Sequence, residues 1–348
     1  MLELTNLQVI LLAVIAIELV LFFVLNGADF GAGVATLFAN NDAQQRNAIV
    51  KVSGPVWGGN EAWLVVALAT MFAAFPGWYS ALASGYYLVF LLVLFFFIFR
   101  GVAFDYRNQW HAKAMNRFWD WGLFFGSLVP PFLIGLIFTS SFSGVPIKNG
   151  FVYASFFDIV TPFSLVGGLM AVILSLDIGL ARVIKKVPVN LATKLMHYAR
   201  ITNFLVYPFF LLVLILLPMK THFFANHPAA VTFLLLLAAV ATIVQTWAIH
   251  NFHAKTAFWL AAVMMGSFIL SLFIGVFPNL IVGVNPATTI NAISAASGRE
   301  SQLWVAWLLG FSAPIMIIVQ AYAYHLINHY YNTPASAMDY QLEVTEHG

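Results

Sequence analysis

The sequence predicts an all-α integral membrane protein of about nine transmembrane helices packed in bundles, on three observations. Hydrophobic residues make up 62% of its 348 positions, charged residues only 8%, and the apolar residues fall in long unbroken runs. A soluble domain carries about 25% charged residues, so a chain this poor in charge must have lipid as its main solvent. The runs are continuous rather than alternating, which reads as helix and not as strand. Only helices and closed barrels satisfy every backbone polar group in lipid.

A membrane-crossing helix needs roughly 20 mostly apolar residues. Nine runs meet that length, at 7–36, 56–75, 79–100, 118–140, 160–184, 200–219, 230–250, 256–280 and 302–330. The first closes on VLNGADFGAG, and the second opens on SGPVWGGNEAW, with Ser53 and Pro55 where a cap and a first-turn proline belong. A tight Phe75-Pro76-Gly77-Trp78 turn makes the second and third runs antiparallel neighbours. The third ends at Arg100, and the fourth starts at Trp119-Asp120-Trp121. The fifth carries Asp177 near its inner end, with Arg182 as its expected partner. The sixth to eighth are apolar, and the ninth carries His325 and His329 at its inner end, an interfacial pair rather than a metal site. Small residues such as Gly31, Gly33, Gly167 and Gly168 allow close helix contacts. With no linker and no visible repeat, residues 1–331 read as one membrane domain and 332–348 as a short acidic cytoplasmic tail.

Lysine and arginine placement gives the orientation. With the N-terminus outside, the inner loops hold twelve of these residues, from Arg46 to Lys255, and the outer loops hold three, Lys148, Lys220 and Arg299. That bias predicts the N-terminus outside and the C-terminus inside. The start, MLELTNLQVI, lacks a basic region, and its apolar run is too long for a cleaved leader. The absence of cysteine excludes disulfides, thiolate catalysis and cysteine-held clusters. A net charge of +2 without a basic block argues against a nucleic-acid partner.

Ionisable groups inside a membrane helix cost about 2.5–3.5 kcal/mol at the helix centre, so each needs a reason. The first four runs hold most of them: Asn26 and Asp29 on one face of the first, Asn60 and Glu61 in the second, Arg100 and Asp105 at the end of the third, and Asp120 at the start of the fourth. The topology puts all of them in the inner half of the bilayer, as a set suited to proton entry. Plainer readings stand beside this one. Asp29 is an interfacial charge, Glu61 a helix N-terminal acid, Arg100 a snorkelling cation stabilising Asp105, and Asp120 a helix-start acid.

The nine histidines (111, 197, 222, 227, 250, 253, 325, 329 and 347) fall in loops, at helix ends or in the tail. The expectation is that this chain contributes no histidine ligand to a haem, which needs one inside a helix, and no metal or cofactor site of its own. Ten methionines read as gap fillers. Tryptophans such as Trp78, Trp110 and Trp304 near helix ends form an aromatic belt.

The stretches GADFGAG (27–33), SGPVWGGNEAWL (53–64), RGVAFDYR (100–107), FWDWGLFFGSLVPPFLIG (118–135), SGVP (143–146) and TPF (161–163) resemble subunit II of cytochrome bd-type quinol oxidases. The likeness is strongest over 20–165. It implies a heterodimer in the bacterial plasma membrane with a subunit I that ligates haems b558, b595 and d and carries the quinol-binding loop. The complex oxidises quinol and reduces dioxygen to water with cytoplasmic protons. Lipid, small single-helix subunits and a structural quinone belong to the same picture. Carried over, Asp29 and Asp105 match acids on or near a proton path, Glu61 a Glu/Gln position, and Trp63 an interface tryptophan where dioxygen approaches. Two departures remove protonatable groups, Gly58 and Asn26, where the family usually has aspartate. Two other readings stay open: a secondary transporter with broken helices at the glycine clusters, and a purely structural partner shielding haem d.

Overall fold

The computed structural model describes residues 4–39, 42–107, 109 and 113–332. The predicted tail beyond Asn332, Trp110, His111, His347 and the side chain of His329 lie outside the described residues. The fold divides into two units, Met1–Val305 and Ala306–Gly348.

The helices in order are α1 (Asn6–Ala35), α2 (Ala43–Ser53), α3 (Trp57–Ala74), α4 (Pro76–Gly85), α5 (Tyr87–Tyr106), α6 (Lys113–Ser143) and α7 (Phe156–Ile159). They continue with α8 (Pro162–Ile184), α9 (Val189–Lys220), α10 (Phe223–Asn226), α11 (Pro228–His250), α12 (Ala254–Val276), α13 (Ala292–Ala295) and α14 (Arg299–Asn332). Two short antiparallel hairpins, Ile147–Lys148 with Phe151–Val152 and Asn279–Ile281 with Ile290–Asn291, sit in the loops. Among the described residues, eight helices are long and apolar enough to cross a membrane, or nine if α2 and α3, bent by 44° at their junction, count as one span. The predicted all-α membrane fold is therefore what forms.

Two local expectations need correction. The second run does not begin at a serine cap. Ser53 is the last residue of α2, Pro55 lies in the bend, and α3 starts after Val56 with no side-chain cap. The third run is two helices, because Pro76 starts the separate ten-residue α4, whose end at Gly85–Tyr86 precedes α5. The second and third runs still meet, since α3 packs on α4 and reaches α5 through the Glu61–Arg100 pair and the stacked Trp57 and Phe104 rings. The helix α3 lies against α1 and α4, whereas α5 lies chiefly against α6.

Helix α1 is the hub of the first unit, packed by α3, α6, α8 and α12, while α9 and α11 build outward from α8 and α12. Its crossing with α8 depends on glycine. A Cβ on Gly31 would stand 1.9 Å from the Ser175 carbonyl oxygen, and one on Gly179 would stand 2.5 Å from Gly31 itself. The two backbones touch, as small-residue interfaces in lipid permit. The exposed apolar residues of α5, α9 and α11, such as Leu91, Phe204 and Phe233, are surface suited to lipid.

Overpacking costs about 1–3 kcal/mol or more. Gly31→Ala is therefore expected to lower the thermal unfolding midpoint of the purified protein. Gly58→Ala is not, since a Cβ there meets nothing within 4 Å. Equal behaviour of the two variants would contradict this packing.

Candidate functional site

Where α1, α3, α5 and α8 converge, four ionisable side chains meet inside the apolar bundle. Asp29 is fully buried. Its Oδ1 accepts from Arg182 Nη1 at 2.8 Å, and its Oδ2 accepts from Asn60 Nδ2. Asn60 Nδ2 also reaches the Leu25 carbonyl at 3.4 Å, and Arg182 Nη2 donates to the Val52 carbonyl at 3.4 Å. Both carboxylate oxygens of Asp29 are thus occupied.

Arg100 is also fully buried. Its Nη1 donates to Glu61 Oε1 at 3.1 Å and to Asn26 Oδ1 at 3.3 Å. The guanidinium lies 4.6 Å from the Phe30 ring centroid and 5.5 Å from that of Phe104. Such stacking suits arginine, whose planar cation is less strongly hydrated than an ammonium. Gly126 on α6 makes room for it, because a Cβ there would stand 2.5 Å from Arg100 Cβ. Arg100 Nε and Nη2 and Asn26 Nδ2 are buried with no hydrogen-bond partner among the described residues.

The set contains two acids and two arginines, so its formal charge cancels. That matters in lipid, where a lone charge is costly. Glu61 differs from Asp29 in being open on one side: its side chain is 18% exposed. It borders a cavity of about 590 Å³ lined by Leu64, Leu68 and Met71 of α3, Leu94 of α5 and Ile134 of α6. Glu61 is the one carboxyl among the described lining residues.

Asp120 belongs to a separate cluster where α2, α5 and α6 meet. Its Oδ1 accepts from Arg107 Nη2 at 2.7 Å and Nε at 3.2 Å, its Oδ2 accepts from Arg46, and Arg107 also reaches Asn47 at 2.9 Å. This is a two-arginine clamp, more than a helix-start acid.

Of the residues singled out in the sequence, the structure joins Asn26, Asp29, Asn60, Glu61 and Arg100. It leaves Asp105 apart: that residue is exposed and does not pair with Arg100, contrary to the plainer reading. Trp63 is buried at 3% exposure and does not line the cavity. The expected Asp177–Arg182 pair does not form. Arg182 goes to Asp29, and the buried Asp177 accepts from Gln245 of α11, with Asn203 of α9 close by. Two participants escaped sequence reading: Arg182 as the partner of Asp29, and Glu18, a carboxyl 2% exposed in the middle of α1.

Just past the C-terminal end of α8, the Lys186 amine is pushed down to about 8, first by burial and then by the Arg182 and Lys185 cations. Its folded value lies below the ordinary value of about 10.4, so the folded state releases this proton first and stability rises with pH between those two values.

Two outcomes are expected. Amine acylation followed by peptide mapping should show Lys186 half-reactive near pH 8; a midpoint near the ordinary lysine value, about 10.4, would contradict the environment described. Arg100→Lys should behave as a disruptive change, because an ammonium keeps the charge but loses the fork and the ring stacking. The yield of folded protein after detergent extraction checks this, and a wild-type yield would contradict it.

The family model described as "Cytochrome bd terminal oxidase subunit II" matches residues 7–327. A relative from Bacillus subtilis (strain 168), cytochrome bd ubiquinol oxidase subunit 2, is 30% identical over 314 residues, 90% of this chain and 93% of its own. Cytochrome bd-I ubiquinol oxidase subunit 2 of Escherichia coli (strain K12) is 36% identical over 163 residues, 45% of this chain and 43% of its own. Among solved structures, the bd oxidase from Geobacillus thermodenitrificans superposes with a TM-score of 0.73 over 94% of this chain and 100% of that one. At 16% sequence identity, that likeness speaks for the fold alone.

Proposed function

The chain belongs to the cytochrome bd terminal oxidase subunit II family, and from that premise we propose that it gives the oxidase a protonatable passage from the inner membrane surface toward Glu61. As subunit II of a cytochrome bd ubiquinol oxidase it is a multi-pass protein of the bacterial plasma membrane, part of an oxidoreductase that contains haem, and it works with a subunit I. The secondary-transporter reading is not favoured.

Haem suits this chain poorly. The described histidines lie at helix ends, in loops or, as His197 and His325, exposed on their helices, whereas an axial ligand must point into a buried pocket. The reading is therefore that haems b558, b595 and d are ligated by subunit I, and no chemical step is assigned to a haem here. Any structural quinone, small single-helix subunit or bound lipid belongs to the assembled complex. The N-terminus outside and C-terminus inside remain the orientation that the basic residues support.

In this reading the residues divide their work. Asp105, exposed at the end of α5, collects protons at the inner surface. The Asp120 clamp fixes the inner ends of α2, α5 and α6. Asp29, held by Arg182 and Asn60, is a positioning acid that orders the amides. Glu61 carries the proton, because it alone of the two acids of this site has a free flank. The unmet donors of Arg100 and Asn26 suit ordered water, which buried polar groups commonly recruit, and such water would join Asn26 to Glu61. Gly58 offers no carboxyl, so the route runs without the acid that relatives usually carry there. Trp63 keeps its assignment to an apolar approach for dioxygen.

The observation that carries the proposal is the asymmetry between Asp29, with both oxygens bound, and Glu61, open to the cavity. A purely structural reading draws on the charge balance of the set, and one variant separates the two. Glu61→Gln should lower quinol-driven oxygen consumption by at least about tenfold, in the range of a lost proton-transfer group, with the haem spectrum of the complex intact. Unchanged turnover in a normally assembled complex would leave only the structural role. Asp105→Asn should slow turnover less, since surface collectors can be replaced by neighbouring groups; a loss larger than that of Glu61→Gln would reverse the assignment.

A further inference from the structure

Glu18 lies near the centre of α1, 2% exposed. Thr70 of α3 faces it, with Thr70 Oγ1 3.5 Å from Glu18 Oε1. Glu18 Oε2 is buried without a hydrogen-bond partner among the described residues. The helices packed on α1 bring their charges elsewhere: Arg46 and Lys51 on α2; Glu61 on α3; Lys113, Arg117 and Asp120 on α6; Asp177 and Arg182 on α8; Lys255 on α12. None of them forms an ion pair with Glu18.

This sets Glu18 apart from the acids of the inner site. Asp29, Glu61 and Asp120 each have an arginine within salt-bridge distance. Glu18 has a hydroxyl. A carboxylate in lipid without a counter-charge is costly, whereas a carboxylic acid sharing a hydrogen bond is far less so. The group that fits the site is therefore a proton.

Glu18 is also in line with the inner site. Eleven residues separate it from Asp29. At about 100° per residue that is three turns with a remainder of about 20°, so both acids share one stripe of α1, about 16 Å apart along the axis. On α3, Glu61 and Thr70 are nine residues apart, about 13 Å by the same rise and half a turn apart around the helix, Glu61 toward Arg100 of α5 and Thr70 toward α1. The cavity beside Glu61 runs along this interval past Leu64, Leu68 and Met71 of α3 and Leu19 of α1; Leu19 and Met71, the chain neighbours of Glu18 and Thr70, are in its wall, and Glu18 and Thr70 themselves are not.

We propose that Glu18, hydrogen-bonded to Thr70, is a second proton-holding site of this chain at mid-membrane, exchanging its proton with Glu61 by water entering from the cavity beside Glu61. The proposal rests on the reading of Glu61 as a proton carrier. The step is a proton transfer only. The proton leaves Glu61, passes along water and binds a Glu18 carboxylate oxygen, and the reverse transfer restores both.

The test uses the assembled oxidase, with intactness checked by its haem spectrum. Glu18→Gln keeps the shape and the Thr70 hydrogen bond but cannot exchange a proton. It should lower oxygen consumption by at least about tenfold, and Glu18→Asp should recover much of that loss. In redox-difference infrared spectra, the wild type should show a carboxylic-acid C=O band that is lost in Glu18→Gln and shifted to higher frequency in Thr70→Val. The Thr70 variant keeps the test decisive if Glu18→Gln does not assemble. Wild-type turnover of Glu18→Gln, or a carboxylic-acid band indifferent to both substitutions, overturns the proposal. If that result accompanies a slow Glu61→Gln, the inner site stands and only Glu18 is excluded. If Glu61→Gln is also unaffected, the proton-carrier reading itself fails.

Discussion

Two arginines buried in the apolar interior constrain everything around them. Neither Arg100 nor Arg182 can be left unpaired in lipid, and both sit on helices whose own sequence supplies no counter-charge on the same face. Each must therefore find its acid on another helix. Arg182 on α8 takes Asp29 on α1, and Arg100 on α5 takes Glu61 on α3. Those two pairings cross-link four helices, and Asn60 ties α3 to α1 at the same level. The glycine contact between Gly31 and Gly179 brings α1 close enough to α8 for the Asp29–Arg182 bond to reach. Packing and electrostatics thus require one another here.

The same constraint sorts the buried acids by what each can do. An acid with both oxygens bonded, as in Asp29, is fixed in place and serves as a reference charge. An acid with one flank on a cavity, as in Glu61, has room to turn. Glu18 and Asp177 meet only neutral groups, a hydroxyl or amides. Positions 26 and 58, where the resemblance implies aspartates, hold an amide and a glycine with open space around it. With Asn26 in that place the two arginines are balanced by two acids rather than more, and Arg100 still finds an acceptor in the amide oxygen.

Much of the fold was legible because lipid allows few solutions. The first predicted run, 7–36, differs from α1 by one residue at each end, and the fifth, eighth and ninth runs lie within a few residues of α8, α12 and α14. The failures have local causes. Pro76 starts a separate short helix, which a hydropathy reading merges with the span that follows it. Asp177 with Arg182, and Arg100 with Asp105, were paired because each is five residues from the other. Five residues turn a helix by about 140°, so such a pair points to different faces, unlike residues three or four apart. The gathering of Asn26, Asp29, Asn60, Glu61 and Arg100 was readable from topology and depth. Arg182 was not, since its partner lies 153 residues away. Glu18 left a readable mark, a lone acid in an apolar run in phase with Asp29, but it lies outside the motifs that carried the family likeness.

The central claim is that Asp29 and Arg182 stabilise the bundle as a mutual pair, and a double-mutant cycle measures it most directly. Asp29→Asn, Arg182→Gln and the double variant are compared by thermal unfolding of the purified complex. Removing one partner of a buried pair costs about 3–5 kcal/mol, because the other is left uncompensated. The account predicts that each single variant is severely destabilised and that the double variant is more stable than either, its amides able to bond to each other. Losses that simply add in the double variant would show that the two side chains act independently, and would contradict the account.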